Sequence, residues 1–199
     1  MTVKEVFELR KQGKIEEAYE AIRPMYAVHK GKYTTLCMFW TASDILKKRV
    51  KESRFDEAVK IFKALLRMLP SVEDSDGRAH SSIYFHAVML SREVNTDNGE
   101  LRFSMLDFVE QLNVEQMTNA DWKSLTPVPS PKGEGSKYQI PPVAQQLLAL
   151  AFSELEDNPT VDNALKVMPL LQESVRRQPG NKDNKRYMDV IYRIMGEEG

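Results

Sequence analysis

An eight-residue pattern recurs in this chain, forty positions apart. Lys11-Gln12-Gly13-Lys14-Ile15-Glu16-Glu17-Ala18 aligns with Lys51-Glu52-Ser53-Arg54-Phe55-Asp56-Glu57-Ala58. Lysine, glutamate and alanine match at fixed offsets, a small residue marks the break in both, and Ile15 pairs with Phe55. Four residues after each alanine, Ile22 pairs with Phe62. Each block lies between runs whose apolar residues recur at steps of three and four, the spacing of one helix face. Internal repetition of this kind decides the fold, because such units bury their apolar faces by stacking on their neighbours.

The rest of the chain follows the same helical rhythm. The first break is flanked by helices over residues 3–12, with Val6, Phe7 and Leu9, and 15–29, with Ala18, Ala21, Ile22, Met25 and Tyr26. Pro24 is expected to kink the second of these or to shorten its start. A longer helix follows over 33–52, then one over 56–69 with a strong apolar face from Ala58 to Leu69, stopped by Pro70. The acidic linker 71–77 leads to a helix over 78–94. The turn 95–99, where Asp97 or Asn98 is placed to cap, leads to another over 100–112. Residues 118–140 carry Pro127, Pro129, Pro131, Gly133 and Gly135 and read as a partly disordered loop, with Trp122 and Leu125 as anchors. Helices resume at Pro141-Pro142, which can start a helix with apolar residues from Val143 to Leu155, and over 161–177, bent at Pro169. Tyr187, Val190, Ile191, Ile194 and Met195 mark a last helix over 183–196. No segment alternates apolar and polar residues for long enough to suggest a strand.

The segment from Arg54 to Pro70 resembles the tetratricopeptide repeat. Phe55, Glu57, Ala58, Phe62 and Pro70 fall where that family places its aromatic, its acidic residue, the alanine at which two helices touch, a second aromatic and the closing proline. The forty-residue spacing departs from the family period of about 34 residues, which implies a longer first helix in the second pair. The third pair matches loosely. The fourth keeps Leu148, Ala149, Phe152, Leu171 and the closing Pro179. The resemblance implies an all-α, right-handed superhelix of antiparallel helix pairs, about nine helices in one domain over 1–199, with repeats at 3–31, 33–70, 78–113 and 141–179. The last helix is then either a terminal cap or the start of a further repeat.

Candidate chemistry is sparse. The three histidines, His29, His80 and His86, lack the i, i+4 spacing of a metal pair. Cys37, the single cysteine, sits in the apolar run 36–40 and reads as a buried, inert thiol. There is no glycine-rich phosphate loop, and Glu73-Asp74-Ser75-Asp76-Gly77 lacks the spaced ligands and distal glutamate of a calcium loop. A net charge of −1 gives no overall pull toward nucleic acid or anionic membrane. Basic residues nevertheless cluster at Lys47, Lys48, Arg49, Lys51 and Arg54, and again at Arg176, Arg177, Lys182, Lys185 and Arg186. The N-terminus is interrupted by charge at once and no run spans a bilayer, so a cytoplasmic protein is expected.

The expectation is therefore a non-enzymatic adaptor or scaffold without cofactor or metal, whose partner is a protein or peptide and not a membrane. A helical-repeat module that contacts nucleic acid through its basic clusters is the alternative. In the family, first helices line a groove that takes a peptide or helix. By alignment the groove residues are Trp40, Ser43, Lys47 and Lys51 in the second pair, Tyr84, Val88 and Arg92 in the third, and Gln146 and Leu150 in the fourth. Trp40 has a competing reading as core. Chaperone-binding family members grip a terminal carboxylate through asparagines, and the corresponding positions here hold Phe7 and Lys47, so that ligand is not expected.

Overall fold

In the computed structural model, which describes residues 1–95, 100–123 and 140–197, the described residues form nine α-helices. They are α1 (Val3–Lys11), α2 (Ile15–Val28), α3 (Lys32–Lys51), α4 (Phe55–Met68), α5 (Arg78–Glu93), α6 (Met105–Glu110), α7 (Val143–Asp157), α8 (Val161–Arg177) and α9 (Lys182–Glu197). Short 3-10 turns occupy Leu69–Ser71 and Val114–Gln116. The chain divides into two compact units, Met1–Phe103 and Ser104–Gly199.

In the first unit each helix packs on the next from α1 to α5, and α1, α3 and α5 also touch in succession. The two copies of the repeated block fold alike, bond for bond. Gly13 and Ser53 both sit in the left-handed region, at φ 75° and 58°. Gly13 N–H donates to the Arg10 carbonyl and Lys14 N–H to that of Leu9, both at 2.9 Å; Ser53 N–H donates to Val50 at 3.0 Å and Arg54 N–H to Arg49 at 2.8 Å. These bonds satisfy carbonyls that the end of each first helix leaves open. Ala18 and Ala58 then fall at the helix contact, and both are wholly buried. Ala18 and Ile22 join Val6 and Cys37 in one core cluster, while Phe62 meets Phe103 edge-on with ring centroids 5.3 Å apart. α2 continues through Pro24 and α8 through Pro169, each as a single helix.

Arg49 ties the two hairpins together. Its side chain is only 10 % exposed, yet it belongs to what the sequence shows as a basic cluster. Its guanidinium donates to both oxygens of Glu16 at 2.5 and 3.1 Å, and to Glu57 and Glu52 at 3.2 Å. One side chain of α3 thus bridges α2 and α4. The Arg49 hydrogen bonds lead, with Lys48 adding to them, in pulling the Glu16 carboxyl down to about 2.

The helix expected over 100–112 is shorter, and its start is displaced to Met105. Asn95 is the reason. Its side-chain oxygen accepts from Arg102 N–H and Phe103 N–H, both at 3.0 Å, and its amide donates to the Phe103 carbonyl at 2.6 Å. That clamp takes the backbone groups a helix would use, buries Phe103 and leaves Leu101 exposed. Ser104 caps α6 by accepting from Asp107 N–H. The expected caps, Asp97 and Asn98, lie outside the described residues.

In the second unit α6 packs on α7 and α8, α7 on α8, and α8 on α9. Glu154 of α7 accepts from Met105 N–H at 2.7 Å and from Ser104 Oγ at 2.5 Å, placing a carboxylate at the positive end of α6. α8 opens Val161-Asp162-Asn163-Ala164, again an acidic residue and then a wholly buried alanine, as α2 and α4 do. Phe152 of α7 stacks on Tyr187 of α9 at 4.1 Å. Residues 118–123 form a packed corner. Asp121 accepts from Thr118 N–H at 2.7 Å, Gln178 donates to the Trp122 carbonyl at 2.8 Å, and Trp122 is buried. The expected anchor Leu125 and the proline run 127–131 lie outside the described residues.

Candidate binding surface

The nine expected groove residues divide between the units, Gln146 and Leu150 falling in the second. In the first unit, Trp40, Ser43, Lys47 and Lys51 follow one another along α3, as Tyr84, Val88 and Arg92 do along α5. Ser43, Tyr84 and Val88 are buried. Ser43 Oγ lies 3.1 Å from His86 Nε2, within the contact between α3 and α5, and Ser82 Oγ reaches the same nitrogen at 3.2 Å. Burial, with the Lys47 charge next, pushes the His86 imidazole down to about 4. Lys47, Lys51 and Arg92 are exposed, and Trp40 is half-buried. In the second unit Gln146 is buried, its amide donating to the Pro141 carbonyl at 2.9 Å, and Leu150 is half-buried.

Trp40 lines an open cleft of about 290 Å³ with Leu36 from its own helix, Val72, Glu73, Asp74, Ser75 and Asp76 from the segment after α4, and Arg78 and Ala79 from the start of α5. Local chemistry fixes its walls. Pro70 lies in the 3-10 turn that follows α4, and Gly77 takes a left-handed φ of 73° to turn the chain into α5. Gly77 has no side chain with which to cap that helix, so Asp74 does it from three residues upstream. Its carboxylate accepts from Ala79 N–H at 2.8 Å and His80 N–H at 3.0 Å, and lies 2.6 Å from His80 Nδ1. Burial alone would raise the Asp74 carboxyl. The two backbone donors and the His80 ring outweigh it and hold the carboxyl below its ordinary range. Trp40 is set by an edge-on contact with Phe39 at 5.2 Å.

A second cleft, about 230 Å³, is lined by Ser53, Arg54, Phe55, Asp56, Glu57 and Arg102. Its cations are answered within the chain: Arg54 donates to Glu57 at 2.9 and 2.7 Å, and Arg102 lies over the Phe55 ring at 5.4 Å and 3.5 Å from Glu100.

The sequence shows the linker 71–77 as acidic and turn-rich, without its partnership with Trp40. The available signal was Asp74 placed five residues before the Ala79 amide, with Gly77 between them, which is a capping arrangement. His86 and Ser43 lie 43 residues apart, and nothing local joins them. Among the described residues no three His, Cys, Asp or Glu side chains gather as a metal site. Cys37 is buried in the first unit's core, where burial, only partly offset by Thr41, raises its thiol. No helix among the described residues is long and apolar enough to cross a membrane.

What the fold defines is an all-helical protein whose helices pack in sequential pairs. No family profile, no curated protein and no solved structure matches the chain.

Proposed function

We propose that the chain is a tetratricopeptide-like repeat protein that acts, without catalysis, as an adaptor holding a segment of a partner protein. On this reading the pairs α1–α2 and α3–α4 are successive repeats of a right-handed superhelix, and the matched hydrogen bonds around Gly13 and Ser53 support it. The observation that carries the binding role is the open cleft beside Trp40. Trp40 is an expected groove residue, and tryptophan is among the residues enriched as binding anchors.

The basic clusters favour a protein partner over nucleic acid. Lys48 and Arg49 are paired with Glu16, Arg54 with Glu57, and Arg176 and Arg177 with Glu173. The contact of His86 with Ser43 is sealed from solvent and favours a structural role for both.

The test is retention of proteins from native lysate at moderate salt by the wild-type chain and by Trp40→Ala. The adaptor reading expects a discrete protein held by the wild type and lost from the variant. Identical retention by both, or nucleic acid alone held at low salt, contradicts it.

A further inference from the structure

We infer that the cleft beside Trp40 receives one long cationic side chain, arginine before lysine, of a partner peptide. The inference rests on the adaptor reading and names what the site takes. Size comes first. A volume of about 290 Å³ lies just below the ~300–1,000 Å³ of small-molecule pockets, so it suits a single large side chain. Its lining supplies the two chemistries that such a side chain carries. Leu36, Val72, Ala79 and the Trp40 ring offer apolar surface for the aliphatic stem, and the ring face attracts a cation.

The rim selects charge. Three carboxylates line the cleft, Glu73, Asp74 and Asp76, and the permanent cations beside them are Lys32 and Arg78. Asp74 is committed to the start of α5 and to His80, and its charge stays in place behind the cleft. Glu73 is ion-paired with Lys32, and Asp76 with Arg78 at 3.0 Å, with all four side chains more than half exposed. Exposed pairs of this kind contribute little to stability, so an incoming guanidinium exchanges with them at little cost. A neutral apolar side chain would desolvate the same carboxylates without replacing their partners, and an acidic one would be repelled. Arginine leads lysine because its planar fork meets two carboxylate oxygens while its face lies on an indole ring.

The experiment is selection of random twelve-residue peptides displayed on phage against the full chain, followed by fluorescence polarisation with the synthesised peptides. The chain is used as wild type, as Trp40→Ala and as the exposed-rim double variant Glu73→Lys with Asp76→Lys. The inference expects enriched peptides with an arginine or lysine beside apolar residues. Binding should weaken at least tenfold in each variant, and as much when citrulline replaces the arginine. Peptides that need Trp40 but carry no basic residue and bind the rim variant unchanged would overturn the inference and leave the adaptor reading standing. Peptides whose binding ignores both Trp40 and the rim would overturn both. The rim variant changes only exposed side chains, so it reports even if Trp40→Ala disturbs packing.

Discussion

Acidification from pH 7 to pH 5 should cost the first unit about 2 kcal/mol of stability through His86 alone. The imidazole is buried between α3 and α5, where its Nε2 meets the hydroxyls of Ser43 and Ser82. Burial, followed by the Lys47 charge, disfavours the protonated ring, and Asp44 opposes them only in part, so the folded-state value is about 4 against an ordinary 6.5. The unfolded chain therefore takes up a proton first. Stability is complete above about pH 6.5, falls as pH drops toward 4, and has no further His86 contribution to lose below that. The full difference corresponds to about 3 kcal/mol, of which roughly 2 is reached by pH 5. His86→Gln keeps a polar group in reach of both serines and removes the titration. Urea denaturation of wild type and variant at pH 7, 6 and 5 measures the effect. The wild-type midpoint should fall across the series and that of the variant should stay nearly level. Parallel falls in the two proteins would refute the argument and place the acid sensitivity elsewhere.

The hairpin turns give a paired prediction. Ser53→Gly relieves a left-handed residue and should stabilise by about 0.5–1 kcal/mol, whereas Gly13→Ser should destabilise by about 1 kcal/mol, both read as shifts in urea midpoint. Arg49→Ala removes the cation that Glu16, Glu52 and Glu57 share and leaves them only Lys48 and Arg54, so the bridge between hairpins is lost. Thermal denaturation should show a loss of about 2 kcal/mol, with Arg49→Lys intermediate because it lacks the fork. Glu16, held down to about 2, contributes stability that is present above about pH 4.5 and lost as pH falls toward 2. Its side chain is 40 % exposed, so screening reduces that contribution to about 1 kcal/mol, and Glu16→Gln should remove this limb of the acid-denaturation curve.

Much of the fold was legible because its cues are local. Periodicity placed eight of the nine helices within a residue or two, and α8 at its observed bounds, since apolar spacing and the flanking glycine, proline and asparagine act over a single turn. The displaced start of α6 was not legible, because the clamp from Asn95 onto Phe103 reads in sequence as an ordinary turn. The candidate surface was harder still. One helix face holds both Trp40, beside the cleft, and Ser43, sealed against α5. Spacing along α3 shows that they share a face and does not show where the neighbouring helix crosses it. Arg49 was hidden for the same reason. Among Lys47, Lys48 and Lys51 it looks like surface charge, and only the approach of Glu16, 33 residues away, makes it a structural bridge.

The central claim is that the cleft beside Trp40 is where a partner protein is held. Replacing Trp40 with the photo-crosslinking residue p-benzoylphenylalanine, irradiating in native lysate and identifying adducts by mass spectrometry tests it directly, with the same residue at exposed Lys60 on α4 as control. The account predicts a discrete protein joined at position 40 and not at position 60, through a segment that carries arginine or lysine. An adduct pattern at position 40 no different from that at position 60 would contradict it.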